Sequence, residues 1–231
     1  MTKRRAALVL FALTCAACTP SRNALPPSAE DGEIRAADAV QYESAHAVEA
    51  EAVVLALAKG AARRESNTLI LTREDGRRVE LVDARPCRPE GDDTQCTSYL
   101  LAAWLPSRHA FLVDVLRYEG GHYLLIDARS GERLEIASPP HFSPDGTRFA
   151  TFDNDEENDA DGIRIWVAHG QSFVSEWNLQ HVADFVRWDG DNRLLVKLEP
   201  PPGERRAAGD GPAAIVRSGA GWKLEREGRT P

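Results

Sequence analysis

Residues 141–153 of the chain, HFSPDGTRFATFD, combine a tight turn with a β-strand. The φ angle of Pro144 is held at about −65°, which suits the second position of a type I turn. Gly146 can adopt the positive φ that follows such a turn. The run that starts at Arg148 then returns as a strand, and Phe142 and Phe149 are the apolar side chains expected to pack the sheet. The segment therefore predicts a β-hairpin.

The same layout of a turn followed by a strand occurs at two other places. FVRWDG begins at Phe185 and is followed by RLLV, and a degenerate version, WLPSR, begins at Trp104 and is followed by AFLV. Trp104, Phe142 and Phe185 are separated by 38 and 43 residues, and each interval contains four strand-like runs. A period of roughly 40 residues with four strands is typical of β-propeller blades.

The stretch FSPDGTRFAT resembles the repeat of the TolB-like and WD40-like bacterial β-propellers. The resemblance covers residues 95–226, and one copy is close to the pattern. It implies an all-β fold built from four-stranded antiparallel sheets. It implies no particular task, because propellers carry many unrelated functions.

The number of units is small for a closed propeller. Three full units span residues 99–137, 141–180 and 182–227, and a half unit spans 67–83. One arrangement is a small four-bladed ring in which residues 53–57 complete the half unit; a second is an incomplete ring that closes by dimerisation. We favour a third, a partial propeller-like stack capped by a helix at residues 43–60, because exposed sheet edges must be covered.

The N-terminal part of the chain has a different composition. Residues 41–64 are rich in Ala, Glu and Leu and contain no Gly or Pro before Gly60, which favours a helix. Val48, Ala52, Leu55 and Ala56 form an apolar stripe at helical spacing, although residues 53–57 could also form a strand. The sequence predicts four segments: a signal peptide at 1–17, a flexible tether at 18–40, a helix or capping segment at 41–64 and the propeller-like β domain at 65–228.

The first residues predict export. Three basic residues precede an apolar run at 6–17 that is shorter than the roughly 20 residues a membrane-spanning helix needs. Residues 15–18, CAAC, resemble the lipobox of bacterial lipoproteins, which implies a lipidated Cys18; Cys15 fits the box less well. The alternative is ordinary cleavage to a soluble periplasmic protein. With Thr19 after the cysteine, the resemblance implies a lipid anchor in the outer membrane, facing the periplasm of a bacterial cell envelope.

The net charge and the cysteines indicate which ligands and covalent links the chain can have. The formal net charge of −8 makes nucleic acid an unsuitable partner, because binding to phosphates needs a basic surface. Cys87 and Cys96 flank a short polar segment, and an oxidising compartment predicts a disulfide between them. No further cysteine or histidine lies at zinc-finger spacing from this pair.

The segment DNDEENDADG suggests a cation site. Carboxylate oxygens suit Ca²⁺, which takes six to eight oxygen ligands. An EF-hand frame fits poorly, because its twelfth position is occupied by Ala168 where a bidentate Glu is needed. The alternative is a solvated hairpin loop. The candidate ligands are Asp153, Asp155, Glu157, Asp159 and Asp161.

No catalytic motif stands out. The six histidines are scattered, and the chain contains no nucleophile elbow, Walker loop or dinucleotide-binding glycine motif. The sequence therefore predicts no enzyme and no obligate cofactor. The favoured function is a non-catalytic, lipid-anchored scaffold that binds an unidentified envelope protein. The alternatives are a binding module for Ca²⁺ or a small ligand that uses residues 153–161, and a degenerate envelope hydrolase.

Overall fold

A computed structural model describes residues 34–35, 44–84, 96–118, 120–153, 162–170, 172–199 and 211–226. Within these ranges the chain consists mostly of β-strands, with one α-helix. Helix α1 spans Ser44–Leu57. The strands are β1 Ile34–Arg35, β2 Ala62–Glu65, β3 Thr68–Thr72, β4 Arg78–Val82, β5 Thr97–Leu105, β6 Ala110–Arg117, β7 Gly121–Asp127, β8 Arg133–Ile136, β9 His141–Phe142, β10 Arg148–Asp153, β11 Gly162–His169, β12 Ser172–Leu179, β13 Ala183–Trp188, β14 Arg193–Leu198, β15 Gly211–Ser218 and β16 Gly221–Arg226.

The strands form four antiparallel sheets. Sheet I is β2-β3-β4, sheet II is β1-β5-β6-β7-β8, sheet III is β12-β11-β10-β9 and sheet IV is β13-β14-β15-β16. Apart from β1, each sheet is a meander of consecutive strands, and sheets II, III and IV each contain four of them. The prediction of an all-β fold made from antiparallel sheets is confirmed. In the described part of the chain, no sheet closes on itself.

The turn in FSPDG forms as expected. Gly146 has a φ of +68°, and its N–H donates to the carbonyl of Ser143 at 2.8 Å. The Asp145 carboxylate accepts hydrogen bonds from the hydroxyl of Ser143 at 2.7 Å and from the backbone and hydroxyl of Thr147 at 2.9 and 2.8 Å. Partial desolvation by itself would raise the pKa of Asp145, but these hydrogen bonds outweigh it and lower the pKa. Phe149 is fully buried at the start of β10.

Three apolar clusters show that the sheets stack face to face in chain order. The first cluster joins α1, sheet I and sheet II, the second joins sheets II and III, and the third joins sheets III and IV. Trp104 stacks on Phe111 in the first cluster at 4.3 Å between ring centroids, and Trp188 contacts Trp222 in the third at 6.2 Å. These tryptophans therefore fill the spaces between sheets rather than lining a ligand site.

The helix differs from the prediction in two respects. It ends at Leu57, so residues 53–57 are helical and do not form a strand. The predicted four-bladed ring in which these residues complete the half unit is therefore wrong. Strand β2 completes sheet I instead. The predicted stripe is wrong at Ala52 and Ala56, which are exposed, whereas Leu55 packs against the core. The buried residues of this face are Glu51, Val54 and Ala58.

An ion network explains why Glu51 faces inward. Its side chain is 3% exposed, and its two carboxylate oxygens accept from Nε and Nη2 of Arg64 at 2.6 and 2.7 Å. Oε1 also accepts the backbone N–H of Leu101 at 2.8 Å. A charged group at this depth is tolerated only when it is paired and hydrogen-bonded. The pair thus sets the rotation of α1 about its axis.

The same network extends to the residue after sheet I. Arg64 donates through Nη1 to Asp83 at 3.2 Å and through Nη2 to the carbonyl of Tyr99. Asp83 also accepts the N–H of Tyr99 at 2.9 Å. Burial raises the pKa of the Asp83 carboxyl, because desolvation outweighs its bonds to Tyr99 and Arg64. These contacts tie α1, sheet I and sheet II together.

Candidate binding cleft

Most residues singled out by sequence lie outside the described residues. They are Cys18, Cys87, Asp155, Glu157, Asp159 and Asp161, and the lipidation, the disulfide and the Ca²⁺ site all remain predictions. Cys96 is buried immediately before β5. Asp153 ends β10 and pairs with Gly162 of β11. In the described part of the chain, no three metal-ligating side chains come together, and no helix is long and apolar enough to cross a membrane.

Turns from different sheets meet at one end of the stack, which we call the turn end. The β3–β4 turn reaches the β7–β8 turn, because the N–H of Glu74 donates to the carbonyl of Ala128 at 2.9 Å. The β9–β10 turn reaches the β13–β14 turn, because the N–H of Asp145 donates to Oδ1 of Asp191 at 2.8 Å. At the turn end, the turns of sheet I therefore contact those of sheet II, and the turns of sheet III contact those of sheet IV.

A cleft of about 190 Å³ opens at the turn end between sheets II and III. Its walls come from the β5–β6 and β7–β8 turns of sheet II and from the β9–β10 and β11–β12 turns of sheet III. Its apolar lining consists of Ala110, Leu125, Leu134, Ala168 and Phe173. The polar and charged lining side chains are Ser107, Arg108, His109, Asp127, Arg129, Glu132, Arg133 and Ser172.

Arg108 occupies the boundary between the two sheets. Its guanidinium lies 5.1 Å from the ring centroid of Phe142, in the geometry of a cation–π contact. Within the described residues it makes no ion pair, and its Nε is buried without a hydrogen-bond partner. A Cβ added to Gly146 would lie 1.5 Å from Nη1 of Arg108. Gly146 therefore makes room for this guanidinium in addition to forming its own turn.

His109 follows Arg108 in the left-handed backbone region, with a φ of +51°. Few residues other than glycine adopt this conformation, although histidine does so more often than most. The imidazole Nδ1 bonds to the carboxylate of Glu74, and the backbone carbonyl accepts the N–H of Ala128 at 2.6 Å. These two contacts fix the β5–β6 turn to sheet I and to the β7–β8 turn.

The carboxylate of Asp127 is engaged within its own turn. It accepts from the backbone N–H groups of Arg129 and Ser130 at 2.9 and 2.7 Å, and from both of their side chains. Burial acts in the opposite direction, but these bonds lower the pKa of Asp127.

Sequence reasoning did not find Arg108 or the cleft. The available signal was the degenerate turn WLPSR, in which Arg108 stands where FSPDG has Gly146. The sequence also provided no indication that Asp114 on β6 is buried. Asp114 is 7% exposed, and burial raises its pKa to about 6. Asp114 points to the same sheet face as the cleft residue Ala110 but lies four residues along the strand, about 13 Å away.

The cleft can bind a small molecule or a protruding group of another protein. Arg108 offers guanidinium donors that no described acceptor uses, and apolar side chains line the same cleft. Such a combination of an apolar lining with a few polar groups is typical of binding pockets. The chain matches no protein-family model and no curated protein.

Proposed function

We propose that this protein is a non-catalytic, lipid-anchored component of the bacterial cell envelope that binds another protein at its turn end. We also propose that the four sheets are the blades of a partial β-propeller. The consecutive antiparallel meanders, their face-to-face stacking and the recurring turn support this architecture. The signal-like N-terminus and the CAAC sequence support the lipid anchor.

The observation that carries the binding function is the state of Arg108. It is partly buried in the cleft between sheets II and III and has no acidic partner among the described residues. Water can reach only part of a partly buried cation. A partner that supplies a hydrogen-bond acceptor therefore gains a strong, charge-assisted hydrogen bond. The partner is therefore a protein that presents an anionic group to Arg108.

The turns around the cleft provide the remaining contact area. Binding residues in β-rich folds are commonly placed on turns and loops that a rigid scaffold positions. Here the hydrogen bonds between Glu74 and Ala128 and between Asp145 and Asp191 connect the turns of neighbouring sheets. A partner that spans these turns would meet a surface that is already ordered, which reduces the entropy lost on binding.

Site-specific photo-crosslinking in membranes tests this function. A photoreactive residue at Ser107, exposed on the cleft rim, is expected to yield one adduct with another protein, and Arg108→Gln should abolish that adduct. The matched control is Tyr118, which is 47% exposed and follows the opposite end of β6. Equal adducts from both positions, an adduct that persists in Arg108→Gln, or an adduct only with a second copy would contradict the proposal.

The lipid anchor has a separate test. Labelled fatty acid should be incorporated into the wild-type chain and into Cys15→Ser, the control, but not into Cys18→Ser, because the thiol of Cys18 carries the lipid. Each buried acyl CH₂ contributes about 0.8 kcal/mol to membrane binding. Equal labelling of Cys18→Ser and the wild type would show that the lipidation site is wrong.

A further inference from the structure

We propose that the cleft at Arg108 binds a carboxylate joined to a small apolar group. This proposal rests on the proposed function, since it names the chemistry of the group that enters the same cleft. The two sources of such a group are the C-terminal end of a protein or peptide and a free branched-chain organic acid.

Arg108 differs from the other arginines that have no acidic partner in the described part of the chain. Arg78, Arg117, Arg133 and Arg226 are exposed, so water can satisfy their donors, whereas Arg108 is partly buried and its Nε is shielded. The planar guanidinium offers parallel N–H donors that match the two oxygens of a carboxylate. A carboxylate at this position would accept hydrogen bonds from donors that have no acceptor among the described residues.

The charge balance of the cleft favours a monoanion. Its lining contains three arginines, Arg108, Arg129 and Arg133, and two carboxylates, Asp127 and Glu132, and these five side chains carry a net charge of +1 (3 − 2 = +1). Two carboxylates on the rim would repel a second negative charge. Phosphate sites in loops also rely on free backbone N–H groups, whereas the N–H of Gly146 donates to Ser143.

Size and apolar lining determine what accompanies the carboxylate. The volume of about 190 Å³ is below the roughly 300–1,000 Å³ of pockets for drug-sized ligands. It accommodates a group the size of one aliphatic side chain. Leu125, Leu134 and Phe173 would contact that group while Arg108 holds the carboxylate. Capture of a terminal carboxylate is a known mode of peptide recognition.

Titrations with small ligands test this chemistry on the complete folded chain. In NMR or calorimetric titrations, N-acetyl-leucine should bind saturably and N-acetyl-leucinamide, which lacks the charge, should bind at least about tenfold more weakly. Isovalerate distinguishes the sources: binding equal to that of N-acetyl-leucine indicates a free acid, and weaker binding indicates a chain end. Equal binding of the amide, tighter binding of inorganic phosphate, or no saturable binding would overturn the proposal.

Two variants test the assignment to Arg108. Arg108→Gln should weaken N-acetyl-leucine binding at least about tenfold, whereas Arg78→Gln, which makes the same charge change on sheet I, should not alter it. Gly146→Ala should also weaken binding, because its Cβ displaces the guanidinium without removing the charge. Its matched control is Gly76→Ala, where the φ is also positive and no atom lies within 4 Å of the added Cβ. Binding unchanged in both Arg108→Gln and Gly146→Ala would overturn the assignment.

The proposed function and this inference can fail separately. An Arg108-dependent protein adduct from Ser107 without carboxylate binding would leave the proposed function standing and overturn the inference. Conversely, carboxylate binding that needs Arg108, together with no protein adduct, would leave the cleft chemistry standing and overturn protein binding.

Discussion

Replacing Asp114 with Asn should make the protein more stable at neutral pH and leave it unchanged at low pH. Asp114 lies in the middle of β6, 7% exposed, between Leu100 of β5 and Tyr123 of β7 in the sheet register. Burial raises its pKa from the ordinary 3.8 to about 6. Asn resembles the protonated carboxyl in shape and polarity but cannot ionise.

The size of the effect follows from proton linkage. Because the folded pKa is the higher one, the folded state holds more protons than the unfolded state between about pH 4 and pH 6. The free energy of unfolding therefore falls as pH rises through this window and levels off above it. Each pKa unit corresponds to about 1.36 kcal/mol, so the shift from 3.8 to about 6 destabilises the ionised protein by about 3 kcal/mol.

The assay is urea unfolding of the wild-type protein and of Asp114→Asn at a series of pH values between 3.5 and 8, conditions chosen to bracket the window that the pKa shift defines. We expect equal free energies of unfolding at the acidic end and a difference that grows to about 3 kcal/mol above pH 6. Taking the difference between the two proteins removes the contribution of other groups, such as Asp127, whose lowered pKa acts in the opposite direction. A difference that is independent of pH, or one in which the wild type is more stable at pH 7.5, would refute this account of Asp114.

Three other perturbations have defined outcomes. Glu51→Ala should lower the free energy of unfolding by about 3 kcal/mol, because it leaves the buried part of Arg64 without its main partner. The control is Glu49→Ala, at an exposed position of the same helix, which should lower it by less than about 0.5 kcal/mol. Similar losses for the two variants in urea unfolding would contradict the ion network around Glu51. Gly146→Ala and Gly76→Ala should each lower the free energy of unfolding by about 1 kcal/mol, because both glycines have a positive φ. At Gly146 the guanidinium of Arg108 can move away from the added Cβ. A much larger loss of stability in Gly146→Ala would mean that Arg108 is rigidly held. Mass spectrometry without reductant should find Cys87 and Cys96 linked, and Cys87→Ser should cost roughly 2.5–3 kcal/mol for a loop of this length; free thiols on both residues would exclude the disulfide.

The Ca²⁺ alternative makes a prediction of its own about residues 153–161. Millimolar Ca²⁺ would have to raise the melting temperature above that in a chelator, because a ligand that binds the folded state stabilises it. The double substitution Asp159→Asn with Asp161→Asn would have to remove the rise. Equal melting temperatures in Ca²⁺ and chelator would rule out the cation site.

Local sequence accounts for the hairpins and their spacing. The turn at Pro144 and Gly146 and the strand from Arg148 depend on φ preferences and on side-chain alternation within about ten residues, which a single sequence displays. Their recurrence at Trp104 and Phe185 predicted the antiparallel sheets correctly. The rotation of α1 could not be read in this way, because Glu51 looks like a surface residue until Arg64 and Leu101 are seen beside it.

By itself, the sequence determined that this is an all-β chain of repeated four-stranded meanders with a helix before them, since turns and strands arise from neighbouring residues. Only the tertiary structure decided which turns meet. Arg108 and Gly146 are 38 residues apart (146 − 108), one repeat interval, and nothing local to either residue shows that the guanidinium of one occupies the space left by the other. Stacking of sheet II on sheet III brings them together, and that contact forms the cleft and places in it a guanidinium that has no acidic partner among the described residues.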